Sequence, residues 1–185
     1  MLWPRLAKNL FGRPLTDPAP PVPDQVVQAL VERLEAAAQQ RLGHSLSIRE
    51  VDTGSCNGCE LEINALSNVV HDLERFGLRF VASPRHADVL LVTGPLGRNM
   101  RAALERVWEC TPDPKWVVAV GDCAVDGGVF KGSYAVEGGI AEALPVDLVI
   151  PGCPPTPTQL LEGLLALLEA QALPRATPFW RRDED

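Results

Sequence analysis

Cysteine is the residue type in this 185-residue sequence whose spacing could do chemistry. Four of the five cysteines, Cys56, Cys59, Cys123 and Cys153, form the pattern C-x2-C-x63-C-x29-C, and the fifth, Cys110, stands apart. Five thiols cannot all pair within one chain. The first sixteen residues carry Arg5, Lys8 and Arg13 but no long apolar region, so they do not read as a secretory signal. No stretch reaches the ~18 uninterrupted apolar residues of a spanning helix. The chain is therefore expected to be cytosolic, where clustered cysteines bind metal or carry redox chemistry rather than form disulfides.

Four thiolates brought to one point would suit a [4Fe–4S] cluster, which cysteine sulfurs hold. The flanking residues agree. Gly54 and Gly58 bracket Cys56, Gly121 precedes Cys123, Gly127 and Gly128 follow it, and Gly152 precedes Cys153. Glycines let backbone approach a bulky inorganic core and leave N–H groups for its sulfurs. Pro151, Pro154 and Pro155 stiffen the last loop. Three rivals stay open on the residues alone. Structural zinc also takes four cysteines, usually from two compact CxxC-type knuckles. Cys56 and Cys59 could be a thioredoxin-like dithiol, which leaves Cys123 and Cys153 without a reason. All four could also be buried, unliganded thiols.

Bringing residues so far apart in sequence to one place needs a particular frame. From Ser47 the chain alternates strand and helix. Ser47–Val51 reads as a short strand and 61–76 as one helix, with Leu66, Val69, Val70 and Leu73 at helical spacing and Gly77 as its stop. Residues 88–93 and 115–120 are continuous apolar runs, as in strands buried on both faces. Between them Met100, Ala103, Leu104, Val107 and Trp108 make a helical stripe, and 146–150 is a further strand. Thr156, Pro157 and Gln159 open a last helix with a capping box. This pattern predicts an α/β fold, a doubly wound parallel sheet with helices on both faces in three layers. In such folds ligands collect beyond the carboxyl ends of the strands, where Cys56 and Cys59, Cys123, and Cys153 all follow strands. Cys110 falls at a helix end.

Charge and composition exclude other classes. The chain is 46% hydrophobic, enough for a packed core, and a net charge of −7 with 5% aromatics argues against nucleic acid as the ligand. The expected organisation is an N-terminal arm and Pro-rich linker over 1–23, a helix over 24–45, the cysteine-bearing domain over 46–173 and a tail over 174–185. Six of the seventeen prolines lie in residues 1–23, favouring extended conformations there. Asp24 is placed to cap a helix with Val27, Leu30, Val31, Leu34 and Ala38 on one face. Residues 1–16 interleave three basic side chains with apolar ones, which reads either as a frayed terminus or as an arm that docks on a partner subunit near a membrane surface.

At the cysteines the sequence resembles the small-subunit family shared by membrane-bound [NiFe]-hydrogenases and respiratory complex I. The matching runs are GSCNGCELE over 54–62, ADVLLVTGP over 87–95, GDCA over 121–124, 134–145 ahead of Val146, and PGCPP over 151–155. The resemblance implies a flavodoxin-like core with one [4Fe–4S] cluster on Cys56, Cys59, Cys123 and Cys153. It also implies a [NiFe]-type large subunit, a ferredoxin-like iron–sulfur subunit, membrane subunits and a place on the inner face of the cell membrane. Complex I subunits carry adjacent cysteines, whereas the spacing of Cys56 and Cys59 is the hydrogenase form. The short length points to the energy-converting, formate-hydrogenlyase-like group. The same small subunit would serve a complex-I-like or nickel-free module working with quinone or ferredoxin. Many relatives have arginine where this chain has Thr156. Acids suit the first turn of the helix behind Cys59, where Glu60 and Glu62 are the candidates for coupling electron to proton movement, and the resemblance supports that role at Glu62.

Overall fold

The computed structural model describes residues 25–170. The proline-rich arm, the cap expected at Asp24 and the C-terminal tail lie outside the described residues.

The first strand, β1, runs Ser47–Asp52, followed by β2 Arg79–Phe80, β3 Val89–Thr93, β4 Leu96–Gly97, β5 Trp116–Val120, β6 Val136–Gly138 and β7 Leu148–Ile150. Five of them form one parallel sheet in the order β2-β1-β3-β5-β7; β4 and β6 make a small antiparallel pair. Ile48 to Asp52 run beside Val89 to Thr93, and those beside Trp116 to Val120, so the strand ends are level across the sheet centre. Counting only its members, the order is 2-1-3-4-5, that of flavodoxin-like sheets, which reverses direction between β1 and β3.

Alternation along buried strands sends neighbouring side chains into separate cores. Val89 and Leu91 join Val118, Val120 and Ile150 on one face. They pack against α1 (Gln25–Leu42), against α2 (Gly58–Ala65) and against the Leu-rich helix that ends the described chain. Leu90, Val92, Val117 and Ala119 point the other way, onto Leu104 of α3 (Arg101–Cys110) and Ala124 of α4 (Asp122–Asp126). The closing helix, α5, is Pro157–Glu169. Helices thus cover both faces and the three layers expected are present. Each fully buried Leu or Val contributes roughly 1.5–3 kcal/mol of transfer free energy. Helix α1 is fastened as well as packed: Arg41 donates to the carbonyls of Leu167, Leu168 and Ala170 at 2.7, 3.0 and 2.8 Å, placing a cation at the C-terminus of α5.

One expected element is not continuous. In place of a single helix over 61–76, α2 stops at Ala65 and a 3-10 turn, Leu73–Phe76, follows a stretch of turns. Asn68 is the physical cause. Its Oδ1 accepts from the N–H groups of Val70 and His71, at 2.8 and 3.0 Å, so those donors no longer point back along a helix. Leu66 and Leu73 still reach the core, but Val69 is 93% exposed. Gly77 does end the segment, with φ 79. In α3 the stripe holds at Leu104, while Ala103 is exposed.

The capping box on α5 is formed as read. Thr156 Oγ1 accepts from Gln159 N and Gln159 Oε1 accepts from Thr156 N. Thr156→Ala should therefore lower stability by about 1 kcal/mol in urea unfolding, the usual cost of losing such a cap.

Candidate functional site

The loops that carry the cysteines leave the sheet at one edge. After β1, Asp52 turns the chain: its Oδ1 accepts from the N–H groups of Gly54 and Ser55, both at 2.7 Å. Thr53 is fully buried, and its Oγ1 lies 2.8, 3.2 and 3.0 Å from the carbonyl oxygens of Thr93, Gly94 and Pro95, which seats this loop over the end of β3. Ser55 Oγ accepts from Asn57 N–H at 3.0 Å, and Asn57 takes a left-handed conformation, φ 69, to start α2. Cys56 lies in this turn and Cys59 is the second residue of α2.

The other two loops hold each other. Strand β5 passes through Gly121 into α4, whose second residue is Cys123, and β7 passes through Pro151 and Gly152 to Cys153. Gly152 N–H donates to Asp122 Oδ1 and Asp122 N–H donates to the Gly152 carbonyl, both at 2.9 Å. The side chain of Asp122 thus clasps the Cys153 loop to the Cys123 loop. Asp122→Ala should break half of that clasp. We expect faster loss of any bound metal to a chelator, with the fold retained, and a visible-absorbance time course with excess chelator checks it.

Glycine at position 121 brings the sulfur from the first loop against the other two. A Cβ placed there would sit 2.6 Å from Cys59 Sγ and 3.3 Å from the Gly152 carbonyl oxygen. A Cβ on Gly128 would likewise sit 2.9 Å from Cys123 Sγ. All four sulfurs lie close enough to interact electrostatically. Burial first, then Glu60, then the Cys123, Cys56 and Cys153 thiols push Cys59 up to about 12. Burial, with Cys153 and Cys56 behind it, also pushes the Cys123 thiol up, opposed by a hydrogen bond from Val129 N–H to its sulfur.

None of the cysteines is in a disulfide: Cys123 is buried, Cys59 half-buried, and Cys56 and Cys153 are exposed. Among the described residues no three His, Cys, Asp or Glu side chains are grouped so as to hold a metal ion as they stand. The fit of a larger group rests on other features. Four unpaired thiols from three loops share one edge, glycine leaves backbone flush against their sulfurs, and an N–H already points at one of them. For Cys59 and Cys123, which burial and neighbouring thiols push up, a positively charged core would supply the neutralisation that makes them thiolate ligands.

The remaining candidates divide. Glu60 is 7% exposed beside Cys59, and both its carboxylate oxygens are buried without a hydrogen-bond partner among the described residues. Glu62 is half-buried further along the same helix. Cys110 ends α3, where the chain returns to start β5, so it lies at the opposite edge of the sheet from the other thiols and is exposed. The fastenings made by Asp52 and Thr53 escaped sequence reasoning. The Asp–Thr–Gly–Ser run after an apolar strand was their signal, since Asp and Ser accept from N–H groups two and three residues on.

Comparison with known proteins accords with this geometry. The family described as NADH ubiquinone oxidoreductase, 20 Kd subunit, matches residues 56–167, a stretch that contains all four clustered cysteines. Formate hydrogenlyase subunit 7 of Escherichia coli is 44% identical over 87% of this chain and 64% of its own length. A probable membrane-bound hydrogenase subunit of Pyrococcus furiosus is 45% identical over 71% of this chain and 78% of its own. Among solved structures, a chain of the membrane-bound sulfane sulfur reductase, an archaeal respiratory membrane complex, superposes with a TM-score of 0.61 at 34% identity, covering 75% of each chain. Relatives of this kind are oxidoreductase subunits of larger assemblies. No helix among the described residues is long and apolar enough to cross a membrane.

Proposed function

The chain belongs to the family of the NADH ubiquinone oxidoreductase 20 kDa subunit, and from that premise we propose that it is the electron-transfer subunit of a membrane-associated [NiFe]-hydrogenase complex. It would hold one [4Fe–4S] cluster through Cys56, Cys59, Cys123 and Cys153 and pass electrons to or from a [NiFe]-type large subunit. The observation that carries the reading is the meeting of three strand-end loops, with Gly121 against Cys59 Sγ.

When bound, such a cluster takes up and releases single electrons. The chain's own residues hold it still. The clasp between Asp122 and Gly152 fixes Cys123 relative to Cys153, and Thr53 pins the loop of Cys56 over β3. Val129 N–H, donating to Cys123 Sγ, favours the thiolate. Glu60 and Glu62 stand on the helix of Cys59 as candidates to exchange protons when electrons arrive. A ferredoxin-like subunit would exchange electrons with this one, and residues 1–16 would dock on membrane subunits at the cytoplasmic face. Deleting residues 1–16 should then leave the cluster intact and release the complex from membranes, read by fractionation and immunoblot.

A second reading is favoured by the likeness to the sulfane sulfur reductase complex. The large subunit could lack nickel and the complex serve a quinone- or ferredoxin-linked reaction. Purification of the membrane complex through a tag on this chain separates the two. The first reading expects a co-purifying large subunit with two CxxC pairs, together with hydrogen-dependent viologen reduction. A large subunit without those pairs, inert to hydrogen, would establish the second.

A further inference from the structure

An acid in the first turn of α2 complements the helix N-terminus, but that role does not require Glu60 to be buried. It lies in the first turn of α2, is 7% exposed, and among the described residues neither of its carboxylate oxygens accepts a hydrogen bond. A buried polar group left this way costs free energy, and a native sequence that keeps one calls for an explanation. Glutamine or leucine would fill the same space without an unneutralised charge. On β1 the neighbour that feels Glu60 is the acidic Glu50, on which Arg49 also acts. Arg49 follows Ile48 on the strand and so faces the opposite side from the core that Ile48 and Ile63 share.

We propose that Glu60 sets the reduction potential of the cluster held by the neighbouring cysteines, its buried charge making the addition of an electron less favourable. The inference rests on the cluster reading given above. A carboxylate next in sequence to a ligand, shielded from water and bonded to no donor, acts through a medium of low dielectric, so little screens it. Net charge, hydrogen bonds to the sulfurs and solvent exposure are what set such potentials. Negative charge stabilises the oxidised form relative to the reduced one. Glu62, half-buried and further along the helix, is better screened and has less leverage.

The test is a dithionite titration, followed by EPR, of the complex purified anaerobically with its large subunit, comparing wild type with Glu60→Gln, Glu60→Ala and Glu60→Asp. At the wild-type midpoint, Gln and Ala should raise the reduced-to-oxidised ratio by about tenfold or more, 59 mV per tenfold for one electron. Asp keeps the charge and should stay within about threefold of wild type, well short of the effect of Gln. An unmoved midpoint in Gln, or in Ala should Gln not assemble, overturns the proposal. An Asp variant that moves as far as Gln overturns it too, since the effect would then come from shape. Cluster loss in both Gln and Ala, with subunits still assembled, would make Glu60 structural and overturn it equally. These outcomes are distinct from failure of the underlying reading, which would show as a wild-type complex with no cluster signal from this subunit.

Discussion

Replacing Gly121 with alanine is expected to abolish metal incorporation, leaving less than about a tenth of the wild-type iron in this subunit. Two costs combine. The residue has φ 84 and ψ 157, a conformation essentially reserved for glycine, where a side chain costs about 1–3 kcal/mol. The added carbon would also sit 2.6 Å from Cys59 Sγ, a distance that cannot be held. Relief requires moving either Cys59 on α2 or the backbone between β5 and Cys123, and each motion separates sulfurs that a common core must share. Gly132→Ala is the matched control. It too has positive φ, at 82, but nothing lies within 4 Å of its added carbon. That variant should retain iron while losing a comparable amount of backbone stability. Iron analysis of the two purified complexes checks the pair, and equal iron in both would mean that the contact with Cys59 Sγ does not matter.

Cys123→Ser should erase the EPR signal assigned to this subunit, or convert it to a form with altered line shape and a few per cent of the intensity. Cys123 is the most buried of the four thiols and receives the Val129 N–H. A serine hydroxyl is a poor thiolate substitute because its oxygen is harder and far less acidic. Cys110→Ser should leave the signal unchanged, since Cys110 ends α3 at the other edge of the sheet. A normal signal in Cys123→Ser would remove that residue from the ligand set.

The frame was largely legible in the amino-acid order. Buried parallel strands announce themselves as unbroken apolar runs, and 88–93 and 115–120 needed both faces covered. Loops at the carboxyl ends of such strands share an edge, which is why four distant cysteines could be expected together. Thr156, Pro157 and Gln159 spelled out their helix start because a capping box is a local, three-residue device. What failed was the stretch behind the CxxC. Leu66, Val69, Val70 and Leu73 have helical spacing, but Asn68 bonds its own following backbone more readily than the helix tolerates, and periodicity is blind to that competition. The clasp between Asp122 and Gly152 was invisible for a different reason. It joins residues thirty apart, and only the register of β5 with β7 brings them within reach. Glu60 was legible as an acid at a helix start, but not as a carboxylate with no donor, because burial is settled by the packing of α2 on the sheet.

The central claim is that Cys56, Cys59, Cys123 and Cys153 together hold one [4Fe–4S] cluster. It is tested most directly by measuring iron and acid-labile sulfide in two anaerobically purified complexes: wild type, and one carrying serine at all four positions with its subunits still assembled. The account predicts that wild type exceeds the variant by about four iron and about four sulfide per chain, with loss of the corresponding EPR signal. Equal iron and sulfide in the two complexes would contradict it.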